Sequence, residues 1–409
     1  MSEVVAPEAP DRSRLDPVPF ALAAFAVVGV VLWVVGFVSH HFLPPDTLVR
    51  QSEFFFTGDN VIGQWVKFDA GWYRLIAEQG YSFESIDRQA PVAFFPAYPL
   101  LMRWVGVVLG SQPFVAGVLI TVAAGAGAVV LFATWCRERL SSPAVRWSVV
   151  ALVVYPYAFF MFGAVYADAL FLVAAVGAFV LLERDHPVLA GLAGAVATAT
   201  RPVGFAVVIG LVVLAVARRG GWRRLRAADA GVLLSVGGLA AWMTYLWVNF
   251  GDPLVFSKIQ RAWGQESNPA TWLKFDLFDR VRALACHTRG FLGGSAPTCG
   301  PDYGSELLYT LGILLQGALV VAALVAVPWI IRRFGVAYGI YTAAAVAPAL
   351  LGSQDFQGSG RYLLAAFPLF ALVGAACERR PAWGRVAVAL SAVLLVAFTS
   401  FFARGYYVS

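Results

Sequence analysis

Apolar runs of close to 20 residues recur along almost the whole sequence, separated by short polar turns, and this repetition leaves few folds open. A segment of that length matches the hydrocarbon core of a bilayer, where every backbone N–H and C=O must find a partner within the protein. The runs are rich in Ala, Leu, Val and Gly, and the alternating strands of a β-barrel are absent, so helices are predicted. Composition agrees: of 409 residues, 60% are hydrophobic and 13% charged, against roughly half and roughly a quarter in soluble domains. The chain reads as an all-α polytopic membrane protein.

The predicted spans are 18–40, 113–135, 147–163, 167–182, 188–200, 203–217, 229–249, 305–331, 335–352, 362–377 and 384–403, eleven in all. The first run lacks a small-residue cleavage pattern, so it is read as a retained helix behind a cytoplasmic tail over 1–17. Residues 18–409 are read as one integral membrane domain without internal repeats. The stretch Phe94–Gly110 is apolar but short, with prolines near its start and Arg103 in its interior. If it spanned, the three arginines of Cys136–Arg146 would face outward, against the positive-inside bias. As an amphipathic helix in the outer interface, it lets sixteen arginines gather in the tail and inner loops. The short outer connections and the C-terminal tail then hold only Arg201, Arg361 and Arg404. The net charge of +6 is thus topological and no sign of nucleic-acid binding. The amino terminus is expected inside and the carboxyl terminus outside. Two long outer segments remain, 41–112 with interfacial helices and 250–304.

Those outer segments and nearby turns hold the polar chemistry. In "WVKFDAGWYRLIAEQGY" (Trp65–Tyr81), Asp69 stands among Phe68, Trp72 and Tyr73, where a carboxylate can act as a general base toward a hydroxyl or simply cap a helix in an aromatic anchor cluster. Tyr166 and Asp168 lie at the outer turn of "FMFGAVYADALF" and read either as substrate contacts or as the start of a helix favouring an acid. Arg201, in "TATRPVG", and Arg361, in "DFQGSGRY", suit a phosphate through bidentate guanidinium bonds; salt bridges to Asp168 and Asp355 are the alternative. Pro202 interrupts an apolar run, which predicts a tight hairpin of short helices lining a cavity. Lys258 and Arg261 share one side of a short helix in "NFGDPLVFSKIQRAWG", fit for an anionic headgroup or for an ordinary interface. Cys286 and Cys299 fall in the second outer segment, where an oxidising face permits a disulfide, with two free thiols as the alternative. The four histidines form no helical metal pair, and no metal or cofactor is expected.

Taken in order, "KFDAGWYRLIAEQGY", "FFPAYPLLMR", "YPYAFFMFGAVYADALF", "TATRPVGF", "FGDPLVFSKIQRAWG" and "SGRYLLAAFPLF" resemble the bacterial branch of the PIG-V family of mannosyltransferases. That branch belongs to the GT-C superfamily of integral membrane glycosyltransferases. The resemblance implies a plasma-membrane enzyme that moves a hexose, typically mannose, from a polyprenyl-phosphate donor to a lipid or glycan acceptor. Transfer would take place on the extracytoplasmic face, with inversion and no required metal. It casts Asp69 as the base, Arg361 as the donor-phosphate ligand with Arg201 or Lys258 as seconds, and Trp72, Tyr73, Tyr166 and Asp168 as substrate contacts. Phe68 stands where the family often has Trp, and Asp168 where Glu is more usual. A transporter or flippase of a lipid-linked sugar is the rival reading; it would use the same cations and aromatics but no base.

Overall fold

The computed structural model describes residues 16–45, 61–265, 269–275, 277–279, 281–282, 307–352 and 355–408. Cys286 and Cys299 lie outside the described residues. Among these, the structure is all-helical. Among the described residues, six helices are long and apolar enough to cross a membrane: Val18–Phe42, Pro113–Arg137, Pro202–Arg219, Ala227–Phe250, Thr310–Phe334 and Pro381–Ala403. A further apolar pair, Ser359–Ala365 and Phe367–Arg379, is bent by 82° at Ala366, where Pro368 follows and the helical bond pattern breaks, as in a broken span or a re-entrant loop.

The remaining four predicted spans are helical but short, at 12 residues for Ser142–Val153, 16 for Asp168–Glu183, 14 for Pro187–Thr200 and 16 for Val336–Leu351. At a 1.5 Å rise, even 16 residues reach only about 24 Å, short of a hydrocarbon core of about 30 Å. The expectation of a helix over 147–163 is therefore corrected. The helix stops at Val153 because Pro156 lacks an amide hydrogen and disfavours helical geometry at Tyr155. The chain then runs from 154 to 167 as turns and one short 3-10 segment, Ala158–Met161, almost wholly buried. Irregular backbone at such depth is tolerated only when protein surrounds it.

Small residues let the helices meet closely, as they do where lipid supplies no hydrophobic drive. A Cβ on Gly191 would lie 2.0 Å from the Gly231 carbonyl oxygen, and one on Gly374 would lie 2.0 Å from the Ser148 hydroxyl. Outward faces carry Val27, Val30, Val34, Leu390 and Val393, as a lipid-facing surface should.

Side-chain bonds group the predicted inner loops at one end of the bundle. Arg137 pairs with Asp16 at 3.7 Å, Ser141 bonds Glu378, and Arg139 bonds Glu183. At the other end the Arg404 guanidinium donates to the Pro44 carbonyl at 2.7 Å. There the helix Ala97–Val108 lies where an interfacial helix was predicted, burying Tyr98, Met102 and Gly106 and exposing Leu100, Trp104, Val107 and Val108. The two outer segments join in a satellite core in which Val92 and Phe95 pack with Trp242, Leu246, Val255 and Ile259. Arg261 fastens its rim through Asp87 at 2.7 Å.

Gly191→Ala forces a methyl into a backbone carbonyl and should cost about 1–3 kcal/mol. Thermal unfolding in detergent should show a clear loss for Gly191→Ala and none for Gly312→Ala, whose Cβ would meet nothing within 4 Å.

Candidate active site

Four ionisable side chains from four separate segments converge at the end of the bundle that carries the outer segments, each set by a local backbone feature. Asp69 opens the helix Asp69–Gln79, a position that favours a carboxylate. The residue before it, Phe68, has φ 50° and ψ −110°, a conformation costing about 1–3 kcal/mol for a residue with a side chain. Surrounding contacts hold it there. The Phe68 ring packs edge-on to Tyr407 at 5.0 Å and tilted to Phe402 at 5.9 Å. Just upstream, the Val165 amide donates to the Trp65 carbonyl at 3.1 Å, and the Trp65 ring lies where a Cβ on Gly163 would sit, 2.9 Å away. The Asp69 amide in turn donates to the Tyr166 hydroxyl at 3.3 Å.

Asp168 opens the helix Asp168–Glu183 at the end of the buried irregular stretch. That stretch is anchored by Thr121, which donates to the Ala164 carbonyl at 3.0 Å and lies 2.8 Å from the Tyr98 hydroxyl. Arg201 follows the helix Pro187–Thr200 and precedes Pro202, which forces it into extended geometry at φ −154° and ends the helix there. Its guanidinium bonds the Asp168 carboxylate. Arg361 sits in a four-residue helix, Ser359–Tyr362, entered through Gly358 at φ 80°. Gly360 is required beside it, since a Cβ there would lie 2.3 Å from the Tyr157 ring. The Gly360 amide donates to Gln316 at 2.8 Å, and its carbonyl accepts from Tyr155 at 2.9 Å.

Arg361 is the centre of the group. Its Nη1 lies 3.0 Å from Asp69 Oδ2 and its Nε 4.0 Å from Asp168 Oδ1, while the guanidinium stacks on Tyr166 at 5.0 Å and Phe160 at 5.5 Å. Two carboxylates thus face two guanidiniums in a formally neutral tetrad. The Arg361–Asp69 side chains are only 11% and 20% exposed, so the pair is shielded from the screening that makes surface bridges weak. Burial, reinforced by the Asp69 charge, pushes the Tyr73 phenol far above its ordinary range, which keeps it a hydrogen-bond donor at any physiological pH.

The tetrad lines a cavity of about 370 Å³ together with Tyr73 and Tyr407, and Phe94, Ser257, Gln260 and Trp263 from the two long polar segments also line it. Of the residues singled out in the sequence, Asp69, Tyr73, Asp168, Arg201 and Arg361 therefore meet. Tyr166 is fully buried behind Arg361, so it positions the pair and does not face the cavity. Trp72 stands against Phe94 and Trp263, at 5.8 and 5.9 Å, outside the lining. Lys258 is turned away and pairs with Asp252 at 2.7 Å. Arg361 pairs with Asp69 and not with Asp355, whose carboxylate accepts the Gln357 amide at 2.9 Å. Residues not anticipated are Tyr407 and Gln357 in the lining, and Tyr362, which stacks under Arg201 at 4.7 Å. Tyr362 adjoins the arginine in "SGRY", whereas Tyr407 follows the last apolar run without any pattern to mark it. Among the described residues, no three His, Cys, Asp or Glu side chains gather as metal ligands.

No protein-family model matches the sequence, and no curated protein matches it. Among solved structures, the chain is similar to an Archaeoglobus fulgidus oligosaccharyltransferase tethered with an acceptor peptide, at 12% identity and a TM-score of 0.47, covering 95% of this chain and 55% of that one. It is likewise similar to the archaeal oligosaccharyltransferase AglB from the same organism in complex with an inhibitory peptide and a dolichol-phosphate. There the identity is 14% and the TM-score 0.45, with 95% of this chain and 56% of that one covered. The chain spans about half the length of these solved structures.

Removing Asp168 leaves the Arg201 charge buried without its carboxylate, and Asp168→Ala should destabilise the protein by about 3–5 kcal/mol. A double-mutant cycle with Arg201→Met, read by chemical denaturation in detergent, should give a loss for the pair smaller than the sum of the single losses.

Proposed function

We propose that this chain is an inverting membrane glycosyltransferase of the GT-C type. It takes a mannose-type hexose from a polyprenyl-phosphate sugar and transfers it to a hydroxyl of a lipid or glycan acceptor, on the extracytoplasmic side of a bacterial plasma membrane. The observation that carries this reading is the convergence of one accessible carboxylate, Asp69, and two arginines, Arg201 and Arg361, on a single cavity under the outer segments. A membrane-bound phosphate donor needs cations at headgroup level and a base near the anomeric carbon. The grouping of basic loops at the opposite end supports an outward-facing cavity.

In this mechanism the donor phosphate is held by the Arg361 and Arg201 guanidiniums, which offer the paired N–H groups that phosphate oxygens accept. Asp69 takes the proton of the acceptor hydroxyl as its oxygen attacks the anomeric carbon. The bond from that carbon to the phosphate oxygen breaks, its electron pair stays with the departing polyprenyl phosphate, and the sugar inverts. Tyr73, always protonated, is available to donate to an oxygen of either substrate. Asp168 holds Arg201 and keeps its guanidinium aimed at the cavity. A sugar flippase would use the same cations and would be indifferent to the base.

Asp69→Asn preserves shape and removes basicity, so it separates these readings. Membranes carrying either form are incubated with radiolabelled polyprenyl-phosphate mannose and a crude lipid extract, and label is followed into new products. Transfer should fall by about 10²–10⁴-fold in the variant, with donor binding within a few-fold of wild type. Equal transfer by the two folded proteins would rule out Asp69 as the base.

A further inference from the structure

One wall of the cavity carries chemistry that phosphate binding alone does not use. The second outer segment forms a short helical stretch, Val255–Lys258 continuing as Ile259–Trp263. Phe256, Gln260 and Trp263 of this stretch turn toward the same cavity. Ser257 lines it as well. The charges of this stretch face elsewhere and are engaged: Lys258 with Asp252 and Arg261 with Asp87, each at 2.7 Å. What meets the cavity is thus aromatic and uncharged polar, opposite a tetrad made of charges.

Trp263 is fixed in place. Its ring lies edge-on to Phe94 and to Trp72, each at 5.9 Å, while Trp72 and Phe94 stack at 5.8 Å with an 18° interplanar angle. Gln260 donates its amide nitrogen to the Phe256 carbonyl at 3.1 Å, which leaves its Oε1 as an acceptor. An aromatic face beside amide and hydroxyl groups suits a particular class of ligand. The C–H face of a pyranose is apolar and weakly positive and meets the negative face of an indole. Its hydroxyls need both donors and acceptors at the ring's edge, which Gln and Ser supply. A hydrocarbon chain would use only the aromatic face, and a phosphate only the donors.

We infer that Trp263, Gln260 and Ser257, with Phe94, form a pyranose-binding subsite across the cavity from Asp69 and Arg361. This rests on the glycosyl-transfer reading of the same cavity and deepens it: the outer segments recognise a sugar ring, and Lys258 and Arg261 fasten the wall that presents it. The ring belongs either to the donor or to a sugar-headed acceptor, which offer the same chemistry here.

Binding is read without turnover. Purified protein in lipid nanodiscs is titrated with methyl α-mannopyranoside, methyl α-glucopyranoside and methyl α-galactopyranoside, and contact is followed by saturation-transfer NMR. At least one of them should bind, with affinity about tenfold weaker in Trp263→Ala and largely restored in Trp263→Phe. Gln260→Ala should weaken binding as well, and it keeps the aromatic wall intact should Trp263→Ala fail to fold. Tryptophan-dependent binding in a protein that transfers nothing would uphold the subsite while refuting the transferase. Transfer by a protein whose sugar binding ignores both Trp263→Ala and Gln260→Ala would overturn the subsite alone, as would the absence of binding by all three probes. Displacement of the probe by polyprenyl-phosphate mannose assigns the subsite to the donor sugar, and simultaneous binding assigns it to the acceptor; either result upholds it.

Discussion

The ion pair between Arg361 and Asp69 joins residues 292 positions apart, and the architecture of the site follows from the need to form it. A lone guanidinium or carboxylate at this depth would carry a desolvation cost of several kcal/mol. Each is tolerated only where a partner of opposite charge is brought within bonding distance. That requirement ties the first outer segment, through Asp69, to the bent helix pair near the C-terminus, through Arg361. The second pair, Arg201 with Asp168, repeats the arrangement one step deeper, and Arg361 Nε approaches it at 4.0 Å. Strain at Phe68 is the local consequence: the chain adopts a disfavoured φ so that Asp69 meets its partner, and contacts with Tyr407, Phe402 and the Trp65–Val165 hydrogen bond hold it there.

A second consequence concerns the stretch from 154 to 167. A regular helix through this region would satisfy its own backbone. The chain instead descends irregularly, and its polar groups are met by Thr121 and by the Trp65 carbonyl. The same hydrogen bonds that satisfy the backbone also set the position of Tyr166, whose ring lies under Arg361 and whose hydroxyl accepts from Asp69. Support and site are thus one structure, and the site inherits the rigidity of a buried loop.

Much of this was legible in the sequence. Apolar run length marked the helices, and the short run around Arg103 forms the separate 12-residue helix Ala97–Val108. Asp69, Asp168, Arg201 and Arg361 stood out because charges are rare near spans, and they do meet. Their pairing was not legible, since a 292-residue separation leaves no local trace. Span length misled at 147–163, where hydropathy outweighed the signal of Pro156. Lys258 shows a different limit. Periodicity set Lys258 and Arg261 on one side of a helix, but periodicity does not say which face meets the cavity, and the two instead pair with Asp252 and Asp87. Tertiary packing turned the aromatic and amide face inward.

The tetrad's neutrality bears on how charge would move during the proposed transfer. Before reaction Asp69 carries a full negative charge and a phosphodiester donor carries one. As Asp69 accepts the acceptor's proton it becomes neutral, while the departing phosphate monoester gains the charge released from the broken bond. The total charge in the cavity is unchanged, so a poorly solvated site need not accommodate a new ion. What changes is where the charge lies. Arg361 bonds Asp69 directly through Nη1, its Nε lies 4.0 Å from Asp168, and the residue lines the cavity. A planar guanidinium can face a carboxylate on one edge and a phosphate on the other. As negative charge passes from Asp69 to the leaving group, one fixed cation can remain close to both ends of the transfer. Little reorganisation is then required, which is the condition under which preorganised charges stabilise a transition state more than water does.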